Sequence, residues 1–274
     1  MYGPSTRITI GFAAIRCLPH KTPSQMINYQ GRTRMSPQKN RSTTSKGRQK
    51  GEGRQADSGI DAQDALILVK EFAEACFEGA SGSHDWQHTL RVFRLCERMG
   101  PAENADMNVL RVAAYLHDIG RVFQDASSGE VCHAEKGALM AEPLIEKLAL
   151  TDNQKQNIIH CIRSHRFRNH HPPGTVEAKI LFDADKLDAI GAVGVARAFL
   201  FAGEVGARLH NPDIEAEKAK SYSENDTGYR EFKVKLCKIR DRMLTAEGRK
   251  LARERHAFMD EFFHRFVDEY EGKR

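Results

Sequence analysis

His117 and Asp118 stand side by side at the end of the apolar run Val112, Ala113, Ala114, Tyr115 and Leu116. A charge at the end of a buried helix is costly unless something pairs with it. Helical spacing turns further polar groups toward the same interior. Asp185 lies four residues after Leu181 and seven after Ala178, on an apolar stripe, and Asp188 lies three further on. His165 follows Ile162, Cys161 and Ile158 at three, four and seven residues, and His133 shares a face with Gly137, Met140, Ala141 and Leu144. His84 and His88 sit one above the other, with Arg91 three residues later. Asp183 is spaced instead with Lys179 and Lys186, which predicts a solvated face with charge pairing, and His160 is predicted to face water.

The inward set is then His88, His117, Asp118, His133, His165 and Asp185. A lone inward histidine is usually a hydrogen-bonded core residue. Two carboxylates and four imidazoles from separate helices would have to satisfy one another without a cation. A divalent metal makes such a cluster favourable, and helical-bundle cores are where such sites are built.

The elements that must position these groups are helical. From Asp57 onward the apolar period is that of α-helices. It predicts helices over 61–78, 84–99, 104–118, 133–148, 151–165, 176–189 and 191–208, and one or two charged helices over 228–270. Gly100-Pro101 is expected to stop the second, Gly120 to cap the third at its C-terminus, and Thr151 or Asp152 to open the fifth. No alternating strand pattern is present. The fold class is all-α: a helical bundle over 56–274, with its core at 60–205 and C-terminal helices at 213–270.

Residues 1–55 read differently. They hold eleven Lys or Arg and one acid, Glu52, with no apolar period, so a disordered basic leader is expected. A flexible tail or an over-long start fits it better than an organellar transit segment. The remaining chain is acidic, with 31 basic against 36 acidic residues, so the folded body is not expected to bind nucleic acid. No run is long enough to span a membrane. Six scattered cysteines form no C-x-x-C pair, which points to a reducing, cytoplasmic setting.

The ordered elements "HDWQHTLRV" (84–92), "LHDIGR" (116–121), "HAEKGA" (133–138), "IRSHRFR" (162–168) and "DADKLDAIG" (183–191) resemble the HD-domain superfamily of metal-dependent phosphohydrolases over roughly 60–205. The resemblance implies an HD-domain bundle in which His88, His117, Asp118 and Asp185 hold a divalent metal. The mixed donor set suits Mn²⁺ first, with Mg²⁺, Co²⁺, Fe²⁺, Ni²⁺ or Zn²⁺ as alternatives. It implies hydrolysis of a phosphoanhydride or phosphoester of a nucleotide-type substrate by metal-activated water, and small bacterial HD hydrolases of the nucleotide pyrophosphatase type are the more similar members.

Asp118 and Arg121 are the expected catalytic groups. No acid follows the HD pair: Ile119, Gly120 and Arg121 stand there, and Arg121 suits a phosphate clamp. His84, Arg91, His133 and His165 are expected to contact substrate with it, and Asp188 to orient a ligand histidine. The basic loop 163–171 could receive a polyphosphate tail. His133 and His165 also resemble the second-metal ligands of the HD-GYP branch, although "HHPPGTV" stands in place of its GYP element. The alternatives are an HD-GYP-like cyclic-dinucleotide phosphodiesterase and a non-catalytic metal-containing nucleotide-binding module.

Overall fold

A computed structural model describes residues 62–78, 85–166 and 171–274, all within one compact unit, Ser58–Arg274. The expected leader and His84 lie outside the described residues. Ten α-helices and no strand are found among them: α1 (Ala62–Ala75), α2 (Trp86–Ala102), α3 (Met107–Leu116), α4 (Arg121–Ala126), α5 (His133–Ile145), α6 (Asp152–Ser164), α7 (Val176–Leu187), α8 (Gly191–Glu204), α9 (Gly228–Val234) and α10 (Ala246–Tyr270). None of these helices is long and apolar enough to cross a membrane.

The bundle is built around α3. Val109, Leu110, Val112, Ala113, Ala114, Tyr115 and Leu116 are all buried, and α1, α2, α6 and α7 pack around them. Truncating a buried leucine such as Leu110 to alanine would cost roughly 2–5 kcal/mol. The helix starts are set by side chains that accept from the first free backbone N–H groups. Asp85 caps α2, Asp106 caps α3 and Thr175 caps α7. Thr151 and Gln154 form a reciprocal capping box on α6, at the start the sequence predicts.

Three local expectations are corrected. Gly100 and Pro101 do not end α2, which runs through both to Ala102. A Cβ on Gly100 would press on the flexible side chains of Met107 and Leu110, at 2.4 and 2.8 Å. Gly120 is not a left-handed cap either. Its φ is −83° and it opens the short helix α4. A Cβ on it would sit 2.3 Å from the His133 carbonyl oxygen and 2.6 Å from the Gly137 nitrogen. Glycine here lets the turn after Asp118 lie against the backbone of α5.

The third correction is Asp183. It is buried, not solvated, and it holds the start of α10. Its carboxylate accepts from Leu244 N at 2.9 Å, Thr245 N at 2.8 Å and Thr245 Oγ1 at 2.7 Å. Helix α7 is covered on nearly every side, with Ala178, Ile180, Leu181, Phe182, Asp183, Ala184 and Leu187 all buried. The spacing to Lys179 and Lys186 is real, but α10 covers that face.

Candidate metal centre

Most of the inward groups sit at helix ends, where the chain can aim a short side chain into a shared space. His88 is in the first turn of α2, and its backbone N–H donates to Asp85. His117 and Asp118 form the turn between α3 and α4. His133 is the first residue of α5, His165 caps the end of α6, and Asp188 caps the end of α7. Asp185 lies within the last turn of α7.

Each imidazole is fixed through Nδ1. His88 Nδ1 lies 2.8 Å from Asp188 Oδ2, His117 Nδ1 2.9 Å from the Ala114 carbonyl, His133 Nδ1 2.9 Å from Gln124 Oε1 and His165 Nδ1 2.7 Å from the Ile162 carbonyl. All four partners are acceptors. Gln124 Oε1 also accepts from Arg166 Nη1 at 3.0 Å, which fixes it as the amide oxygen. The ring proton is therefore on Nδ1 in every neutral ring, and each Nε2 presents a lone pair.

Those lone pairs converge in two groups. His88 and His117 assemble with Asp185, and His133 and His165 assemble with Asp118. His88 Nε2 lies 3.3 Å from Asp185 Oδ1. Asp118 stands between the groups. Its Oδ1 is 3.1 Å from His133 Nε2 and 3.5 Å from His165 Nε2, while its Oδ2 is 3.9 Å from His88 Nε2 and 4.0 Å from His117 Nε2.

The donors fit a divalent cation. His133 and His165 bring their Nε2 atoms within 3.0 Å of each other, a repulsive contact between lone pairs unless a proton or cation accompanies them. His117 Nε2 is buried with no hydrogen-bond partner among the described residues.

Charge regulation divides the cluster. Burial lowers His117 to about 4. Burial also lowers His133, to about 2, with His165, Arg166 and Arg121 adding to it. Burial would lower His88 as well, but its bonds to Asp185 and Asp188 prevail and raise it to about 9. Burial opposes the charged forms of Asp118 and Asp185. The histidines around Asp118, and Lys186 with His88 beside Asp185, hold both well below the usual carboxylate range.

The surrounding side chains differ from the expected set. Arg91 does not stand ready for a phosphate. It grips Asp188, with Nε to Oδ1 at 2.7 Å and Nη2 to Oδ2 at 3.0 Å, and Arg197 of α8 donates to the same Oδ2 at 2.7 Å. Asp188, carrying His88 and two arginines, is the carboxylate that orients the ring. Arg121 pairs with Asp125 on its own helix at 3.2 Å. Lys186, expected on the outer face, donates to Asp185 Oδ2 at 2.5 Å and to the His165 carbonyl at 3.0 Å.

Sequence reasoning missed Gln124, Lys186 and Arg197. Arg197 left a signal, because Arg197 and Glu204 are the only charged residues of the otherwise apolar α8, and a charge there needs a partner. Gln124 left none, since α4 has no apolar stripe.

The HD domain family model matches residues 85–190. An uncharacterized protein, YpgQ of Bacillus subtilis, is 32% identical over 211 residues, which cover 74% of this chain and 93% of that protein. The crystal structure of B. subtilis YpgQ in complex with ADP superposes with a TM-score of 0.58 at 29% identity, covering 77% of this chain and 96% of that one. An HD-superfamily hydrolase from Bacillus thuringiensis superposes with a TM-score of 0.61 at 26% identity, covering 77% and 98%.

Proposed function

The chain belongs to the HD-domain family, and from that premise we propose that it hydrolyses a phosphoanhydride or phosphoester bond of a nucleotide. The observation that carries this reading is the convergence of four imidazole Nε2 atoms and two carboxylates in two adjoining groups, all buried but the partly exposed Asp185. The ADP bound to the similar YpgQ supports a nucleotide as the ligand class. His88, His117, Asp118 and Asp185 hold a divalent cation, and Mn²⁺ is one of the ions that this mixed nitrogen and oxygen set suits. When bound, the cation supplies Lewis-acid polarisation of a phosphoryl oxygen and acidifies a water molecule.

The chain's own residues do the rest. Asp118 stays ionised and presents one oxygen to each group of histidines. Asp188 fixes the His88 ring so that Nε2 faces the site. Arg121 serves the phosphate. Its partner Asp125 is 60% exposed, such a pair is weak, and an entering phosphate can replace it. The five cysteines among the described residues form no disulfide with one another, which suits a reducing cytoplasm.

A second reading concerns His133 and His165, for which the sequence suggested contact with substrate phosphate. With Nδ1–H committed to Gln124 and Ile162, neither neutral ring has an Nε2–H to donate to a phosphate oxygen. Their lone pairs and Asp118 Oδ1 instead suit a second cation. Metal analysis tests this directly: two ions per chain, falling to one in His133→Ala and in His165→Ala, support it, and one ion in all three defeats it.

The function is tested with purified protein, Mn²⁺ and a panel of nucleoside triphosphates, nucleoside diphosphates and cyclic dinucleotides, with phosphate and pyrophosphate measured separately. Chelator-sensitive release from a linear nucleotide is the expected result. Turnover confined to cyclic dinucleotides would favour the phosphodiesterase alternative. Metal and nucleotide binding without turnover would leave a binding module.

A further inference from the structure

Arg166 lies just past His165, at the end of α6. Its guanidinium is partly buried and pinned, with Nη1 donating to Gln124 Oε1 at 3.0 Å and to Cys132 Sγ at 3.4 Å. Gln124 Oε1 is the oxygen that also receives His133 Nδ1, so one amide oxygen separates Arg166 from the cluster. No carboxylate pairs with Arg166 among the described residues. The contrast with the other cations here is sharp: Arg91 and Arg197 hold Asp188, Lys186 holds Asp185 and Arg121 holds Asp125.

A guanidinium taken partly out of water against an amide oxygen and a thiol has lost solvation without gaining a counter-charge. Holding Gln124 in place would need only a neutral donor. A planar fork fixed on one side and lacking an anion is suited to two-point recognition of a phosphate.

We propose that Arg166 binds the non-reacting phosphates of a polyphosphate substrate, and so selects di- and triphosphate chains over monoesters. The proposal rests on the phosphohydrolase reading for its substrate class, but it is tested by binding and not by turnover. The probe is inorganic pyrophosphate, titrated calorimetrically into the full chain loaded with Mn²⁺, with inorganic phosphate alongside. Arg166→Met should weaken pyrophosphate binding roughly 10-fold or more, the scale of one charge-assisted bidentate contact, and weaken phosphate binding much less. Arg166→Lys should recover part of the loss, and bound Mn²⁺ per chain should not change in either variant. Unaltered pyrophosphate binding in Arg166→Met would overturn the proposal. So would a matching loss of Mn²⁺, which would make Arg166 a support for Gln124 and His133 only. If the wild type binds pyrophosphate through Arg166 yet cleaves no nucleotide, the proposed function fails and this inference stands.

Discussion

Asp183 and Asp185 are the same side chain two positions apart on one helix, and they do opposite things. Asp183 faces α10, and its carboxylate is satisfied by two backbone N–H groups and a hydroxyl. Nothing further is required, and the result is a joint between α7 and the C-terminal helix. Asp185 faces Lys186 and Nε2 of His88. Both already stand beside it, and it shares its space with the Nε2 atoms of His88 and His117. Asp183 is fully buried, and Asp185 keeps 18% of its side chain exposed. What separates them is the kind of neighbour: backbone N–H groups and a hydroxyl close off Asp183, whereas Asp185 stands among imidazole Nε2 atoms that can hold a metal.

The largest effect that bears on this contrast is expected from Asp185→Asn, which keeps the shape and removes the charge. Bound metal and turnover should fall at least about 100-fold, beyond the usual loss from a partner one shell out, while the metal-free chain loses only the pairing of Asp185 with Lys186 and His88 and less stability than in Asp183→Ala. Metal content by mass spectrometry and calorimetric melting measure the two halves. Asp183→Ala should invert the pattern. It strands the buried donors at the start of α10 and should cost roughly 3 kcal/mol of stability. The folded fraction should still bind metal. If Asp183→Ala loses metal at full stability, the two faces are not distinct. Asp188→Asn sits between them, with an expected 10- to 100-fold loss of metal affinity and a smaller loss of stability.

The smallest effect is one of pH. In the metal-free chain His88 lies at about 9, above the ordinary 6.5. Its pairing with Asp185 and Asp188 therefore stabilises fully below pH 6.5, and that contribution is lost as pH rises through 9. A cation must displace this proton, so metal affinity should rise with pH toward 9 and metal uptake near neutral pH should release about one proton per chain. Calorimetry in buffers of different ionisation heat reads the number directly, and zero release would mean that His88 is already neutral.

Much of this was legible in the sequence. The facing of His117, His133, His165 and Asp185 follows from apolar residues three, four or seven positions away, and that of Asp188 from Asp185 three before it. That test works where a helix has one buried face, as α6 does. It failed at Asp183 and Lys186 because α7 is enclosed, and a helical wheel does not show which neighbour covers a polar stripe. It also failed at Gly120, where the need for glycine comes from the backbone of α5 and not from the local turn. Arg91 was assigned to substrate because nothing local revealed that Asp188, 97 positions away, would hold it.

The joint at Asp183 also bears on the order in which the protein is made. His88 and its partner Asp188 are 100 positions apart, and the N–H groups that Asp183 accepts come 61 and 62 positions after it. A nascent chain that has released α2 to α6 holds histidines without Asp185, and one that has released α7 still has an unsatisfied carboxylate in the future core. Contacts this distant form late. The candidate ligands all lie between α2 and α7, and what the start of the last helix adds when it docks is the pair of N–H groups that Asp183 accepts.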